Sequence, residues 1–130
     1  MRCILFFLSV LFLLDISASY AQHGGKAGPL RVQFAGGRSS TRLTGTLSKD
    51  EQMEYVFAAR KGQRVTIRNP NPGLFDFKVF SEENFSEGDF DSSPKYSFDV
   101  PETGDYMLYV RKKQVMSPRK ARFSITLAIR

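Results

Sequence analysis

Six cations, Arg111, Lys112, Lys113, Arg119, Lys120 and Arg122, fall within RKKQVMSPRKARF at 111–123, a stretch that holds no acid. Guanidinium and ammonium groups gathered in this way recognise carboxylates, phosphates or anionic surfaces, and an arginine does so through two parallel hydrogen bonds. Catalysis finds less to work with. Paired carboxylates occur at Asp50-Glu51 and in SEENFSEGDFDSSP at 81–94, which carries Glu82, Glu83, Glu87, Asp89 and Asp91 among Ser and Gly. Both stretches read as exposed, and an exposed carboxyl titrates at about pH 4, too low for a general acid at neutral pH. His23 is the single histidine and Cys3 the single cysteine, so the residues exclude Ser-His-Asp and Cys-His nucleophile systems and Cys/His metal clusters. GGRSS at 36–40 follows an extended segment but opens no helix, so it lacks the context of a phosphate-binding loop. A binding protein is expected, with no enzyme activity and no cofactor. The acidic stretch has two readings. Hard cations such as calcium take oxygen ligands, but the acids lack the alternation of a calcium-binding loop, and Phe85 and Phe90 read as anchors of a solvated loop.

The beginning of the chain places these groups outside the cytoplasm. MRCILFFLSVLFLLDISASYAQ has Arg2, an apolar run from Ile4 to Leu14, and then small residues. That is the layout of a secretory signal peptide over residues 1–21, with Ser19 and Ala21 preceding the cut and cleavage after Ala21. The run is shorter than the ~20 residues a membrane span needs, and Asp15 interrupts it, so no stable membrane insertion is expected. Cys3 leaves with the signal. Residues 22–29, QHGGKAGP, form a flexible leader, and residues 30–130 suffice for one domain. With Arg2 and Asp15 removed, 18 Lys or Arg face 12 Asp or Glu, and the net +6 is the charge of 111–123 alone.

The elements that must position these groups are strands. Val32 and Phe34, then Leu43, Gly45 and Leu47, and Val65 and Ile67 alternate with polar neighbours, and Tyr55, Phe57 and Ala59 form another apolar row. Phe75, Phe77 and Val79 continue the pattern, followed by Tyr96, Phe98 and Val100, by Tyr106, Leu108 and Val110, and by Phe123, Ile125, Leu127 and Ile129. Turn residues separate them at Gly36-Gly37, Lys61-Gly62, Asn69 to Gly73 and Pro101 to Gly104. Period two without any helical period predicts an all-β fold, an antiparallel β-sandwich of about eight strands in two sheets. Nine Phe and four Tyr remain after residue 21 to fill its core. The basic stretch lies between the last two rows. It is expected to form a long hairpin connection, with Pro118 marking its non-strand part and holding Ser117 extended.

Four roles compete for that stretch: solubility, nucleic-acid binding, attraction to an anionic envelope polymer or lipid, and insertion of one cation into an acidic cleft of a partner protein. Export and the absence of aromatic side chains from the loop argue against nucleic acid. The series VQFAGGRSSTRLTGTL, EYVFAARKGQRVTI, PETGDYMLYV and MSPRKARFSITLAI resembles the periplasmic inhibitors of goose-type (g-type) lysozyme, which are grouped with pre-peptidase C-terminal-like sandwiches. The resemblance covers about Leu30 to Arg130. It implies a protein that sets one edge of its sandwich in the substrate cleft of a lysozyme, an enzyme that works through carboxyl groups. Arg119 is then the cation entering the cleft, with Lys120 and Arg111 in support and Met116, Ser117, Ser39 and Ser40 as further contacts. The chain departs from the family pattern twice. Gln114 or its neighbour replaces an earlier arginine of the last connection, and Lys49-Asp50-Glu51 stands where Gly-Tyr-Asp is usual. The implied partner is a lysozyme, met by a monomer or weak dimer in the periplasm or outside the cell. The alternative is a non-catalytic module for anionic cell-envelope polymers.

Overall fold

The structure, a computed structural model, describes residues 28–83, 85–86, 88–115 and 118–130; the expected signal peptide, His23, Met116 and Ser117 lie outside the described residues. Nine strands carry the chain: β1 (Leu30–Arg31), β2 (Ser40–Ser48), β3 (Gln52–Ala59), β4 (Arg64–Arg68), β5 (Phe75–Ser81), β6 (Phe85–Ser86), β7 (Lys95–Asp99), β8 (Gly104–Lys112) and β9 (Lys120–Ile129). They form a five-stranded sheet in the order β1-β3-β8-β5-β6 and a four-stranded sheet in the order β2-β9-β4-β7. All pairings are antiparallel except β1 with β3.

The apolar rows face each other across the sandwich. Phe57, Phe75, Phe77, Val79, Tyr106, Leu108 and Val110 of the first sheet are closed off from solvent, as are Val65, Ile67, Phe123, Ile125 and Leu127 of the second. Aromatic rings bridge the layers: Phe123 meets Phe75 edge-on at 5.8 Å and Tyr55 at 6.5 Å, and Phe98 meets Tyr106 at 6.1 Å. Such pairs add to the burial of ring area, which favours folding by about 1.5–3 kcal/mol for each large side chain. Gly45 is part of this fit, since a Cβ there would stand 2.8 Å from Cε1 of Phe123. Tyr106 donates from its hydroxyl to the Glu102 carbonyl at 2.6 Å, tying the turn before β8 to the strand that follows.

Three expectations change. Val32 and Phe34 are not in a strand; β1 ends at Arg31, and both side chains pack on the core from the loop that follows. A ninth strand, β6, lies inside the acidic stretch, paired to the end of β5, where Phe85 stacks on Phe98 at 4.4 Å. The third concerns the basic stretch. β8 lies inside the first sheet between β3 and β5, and β9 inside the second between β2 and β4, so no hairpin joins them. Residues 113–119 instead cross from one sheet to the other. Alternation marks which face of a strand is buried, but it carries no information about which strand lies beside it.

Candidate functional site

Strand register sorts the loops to two ends of the sandwich. One end gathers the β2–β3 turn at 49–51, the β4–β5 loop at 69–74 and the 113–119 crossover. At this end Lys49 N–H donates to the Arg119 carbonyl at 2.8 Å, Lys112 N–H to Glu51 at 3.3 Å and Lys113 N–H to Leu74 at 2.8 Å. The β4–β5 loop is organised from within by buried Asn69, whose amide donates to the Phe75 carbonyl at 2.8 Å and accepts from Asn71 N–H at 3.2 Å. The crossover therefore rests on two built supports rather than hanging free.

The six cations of 111–123 do not form one patch. β8 continues through Lys112 and β9 begins at Lys120, so strand parity divides them. Arg111 points out of the first sheet and grips Asp76 of β5 through Nε at 3.0 Å and Nη2 at 2.7 Å. This pair holds the Arg111 guanidinium charged above its ordinary range, chiefly through the hydrogen bonds, against a smaller opposing effect of burial. The same guanidinium lies 3.9 Å over the Phe90 ring, so it anchors the acidic segment as well. Lys112 points inward and is wholly buried, donating from Nζ to the Lys113 carbonyl at 3.1 Å. Lys113 reaches the Pro72 carbonyl at 3.3 Å. Arg119, Lys120 and Arg122 stay exposed. Of these, Arg119 precedes β9 in the crossover, beside Pro118, and Lys120 pairs with Ser48.

Gln114 and the Lys49-Asp50-Glu51 turn meet in space. The Gln114 side-chain amide donates to the Asp50 carboxylate, joining the crossover to the β2–β3 turn. Asp50 takes a left-handed backbone with φ 68°, a conformation in which Asp and Asn are over-represented. A cleft of about 250 Å³ lies beside this contact, lined by Asp50, Asp76, Arg111, Lys112, Lys113 and Gln114. Asp76 does not stand out in the sequence; the register that sets it opposite Arg111 is a property of the sheet.

Ser39 and Ser40 lie at the far end. Ser40 pairs with Ala128 and Ser48 with Lys120, so at ~3.3 Å per residue β2 separates the serines from Lys120 by roughly 26 Å. Ser39 lines a larger cleft of about 490 Å³ with Phe34, Arg38, Ala59, Arg60 and Asp105 on its walls. There Arg31 holds Asp105 at 2.8 Å, and its hydrogen bond keeps that carboxyl below the usual range. In the acidic segment, Asp91 pairs with Phe77 through both backbone groups, at 2.7 and 3.0 Å, and Phe85 and Phe90 hold the neighbouring chain. Among the described residues, no three His, Cys, Asp or Glu are placed to hold a metal ion.

No family model matches the sequence, and no curated protein matches it significantly. Solved structures do. A periplasmic lysozyme inhibitor of g-type lysozyme from Aeromonas hydrophila superposes with a TM-score of 0.65 at 23% identity, over 78% of this chain and 96% of that one. The inhibitor of g-type lysozyme from Salmonella Typhimurium gives 0.61 at 25% identity, over 80% and 100%. A mutant of the corresponding Escherichia coli inhibitor gives 0.60 at 24% identity, over 78% and 97%. The sandwich described above is thus the fold of these inhibitors, reproduced over nearly the whole of their length.

Proposed function

We propose that residues 22–130 are an exported inhibitor of lysozyme, of g-type lysozyme in the first place, which blocks the substrate cleft with the 113–119 crossover. The likeness of fold to three inhibitors of g-type lysozyme carries this reading, with the Salmonella Typhimurium protein at 25% identity as its strongest part. Geometry supports the choice of Arg119. Arg111 is occupied by Asp76 and Lys113 by Pro72, whereas Arg119 is exposed on a backbone fixed by Lys49. A guanidinium so placed enters an acidic cleft and forms a charge-assisted bond with a catalytic carboxylate. Lys120 adds charge at the base of the crossover. Arg111 supports from the strand below. Ser39 and Ser40 join the interface only with a partner that lies along the length of β2. The protein does no chemistry of its own. It works in the periplasm or outside the cell after its signal is removed, as a monomer or weak dimer.

Titration against three lysozyme classes tests the reading. Residues 22–130 at micromolar concentration are expected to inhibit a g-type lysozyme, and to inhibit chicken-type and invertebrate-type enzymes less. Absence of inhibition in all three classes refutes the proposal.

A further inference from the structure

Half of the exposed basic stretch belongs to a different surface. In β9 the inward row is Ala121, Phe123, Ile125, Leu127 and Ile129, so Lys120, Arg122, Ser124, Thr126 and Ala128 point outward. Register places Arg42, Thr44, Thr46 and Ser48 of β2 on the same outer face, with Arg64, Thr66 and Arg68 of β4 and Lys95, Ser97 and Asp99 of β7. Arg130 follows β9 beside Arg64, the two exchanging backbone hydrogen bonds at 2.7 and 3.0 Å. The face therefore carries seven exposed cationic side chains, Arg42, Arg64, Arg68, Lys95, Lys120, Arg122 and Arg130, against one acidic side chain, Asp99. Among the described residues only Arg64 is paired, to Asp99 at 3.1 Å.

One cross-strand row reads Arg42, Thr126, Arg68, Lys95. With strands ~4.8 Å apart, Arg42 and Arg68 stand roughly 10 Å from one another, and Arg122 lies about 13 Å further along β9. A shallow cleft of about 280 Å³ opens among Arg64, Thr66, Arg68, Lys95, Ala128 and Arg130, large enough for one charged group. Between the cations the face is hydroxyl, with Thr44, Thr46, Ser124, Thr126, Thr66 and Ser97, the last two sharing a hydrogen bond at 3.0 Å. No aromatic or large apolar side chain points outward from these four strands, so the face offers neither a platform for nucleobases nor a wedge for a bilayer.

We propose that the outer face of the four-stranded sheet binds an anionic glycan, a sugar polymer whose carboxylates, phosphates or sulfates meet the arginines and Lys95 while its hydroxyls meet the Ser and Thr rows. The site is separate from the inhibitory end: its central row lies level with Thr126, roughly 20 Å along β9 from Lys120; Lys120 borders both surfaces, and Arg119 is not part of this one.

Heparin, a sulfated and carboxylated glycan, is the probe. Residues 22–130 are titrated with heparin, with neutral dextran of equal length, with duplex DNA of equal charge, and with phosphatidylglycerol vesicles. Heparin binding is expected to weaken at least tenfold in R42Q/R68Q/K95Q and less than twofold in R119Q, while inhibition of a g-type lysozyme by the triple variant stays within twofold of the parent. R122Q/R130Q gives the same reading should the triple variant lose its native melting transition. Tighter binding of DNA or vesicles than of heparin, equal binding of dextran, equal losses in R119Q, or joint loss of inhibition in the triple variant each overturn the proposal. The glycan titrations contain no lysozyme, so their outcome is independent of whether the chain inhibits one.

Discussion

Arg119→Ala should weaken inhibition of a g-type lysozyme at least about thirtyfold, whereas Lys113→Ala changes it less than threefold. Losing one partner of a desolvated charge pair at an interface costs 2 kcal/mol or more, which is about thirtyfold in affinity. Arg119 meets the conditions for such a pair: it is exposed, and its carbonyl holds Lys49 N–H at 2.8 Å, so the backbone is positioned before any partner arrives. Preorganisation of that kind lowers the entropy lost on binding. Lys113 carries the same charge six residues earlier, but its ammonium is turned onto the Pro72 carbonyl at 3.3 Å. Inhibition constants of the two variants distinguish a specific contact from diffuse charge. Equal losses at the two positions would mean that the net charge of the crossover acts, and no single arginine.

The second large effect is on folding. Arg111→Ala should destabilise the protein by about 3 kcal/mol, because it leaves the Asp76 carboxylate without its cation. The Asp76 side chain is 7% exposed and that of Arg111 43%. The anion is thus the desolvated member of the pair and bears most of the cost. For a domain of this size the loss corresponds to a fall in Tm of about 15 °C. The guanidinium also covers Phe90, so the variant loosens the acidic segment as well. Removing both charges together, as Asp76→Leu with Arg111→Met, should recover most of the loss, since apolar replacement of a desolvated pair is close to neutral. Chemical denaturation of the two single variants and the double variant measures this directly. If Arg111→Ala unfolds within about 0.5 kcal/mol of the parent, the pair behaves as an ordinary surface ion pair.

Much of the architecture is legible in the residues, and the reason is parity. A strand with one buried face writes its burial pattern at every second position, so Tyr106, Leu108 and Val110, or Phe123 to Ile129, identify themselves. Extending the first row by two reaches Lys112, which is why a lysine is wholly buried. That fate was readable by continuing the alternation past Val110, once the strand is taken not to stop where charge begins. Phe85 and Phe90 were readable as anchors for a similar reason, being large apolar groups in a polar segment. Partnership is different. Nothing in the β8 and β9 sequences states that they lie in opposite sheets, because both present the same alternation and either could pair with the other.

The same limit governs the charge. Along the chain, 111–123 holds the whole net charge of +6. In space, Asp76 neutralises Arg111, the core takes Lys112, and Arg122 joins Arg42, Arg68 and Lys95, residues up to 80 positions apart in the sequence. Charges balanced locally by acids in the sequence are unbalanced on a face when the acids point elsewhere. The contact between Gln114 and Asp50 is equally absent from the sequence pattern, since the two residues lie in different connections. Their meeting closes the β2–β3 turn onto the crossover that carries Arg119.

Occupation of the substrate cleft by the crossover is tested most directly by competition. Binding of residues 22–130 to a g-type lysozyme is measured by calorimetry, alone and with an N-acetylglucosamine oligomer filling the cleft. Occlusion requires the apparent Kd to rise in proportion to oligomer concentration, as for two ligands of one site. A Kd that stays constant while the oligomer saturates the enzyme would contradict it.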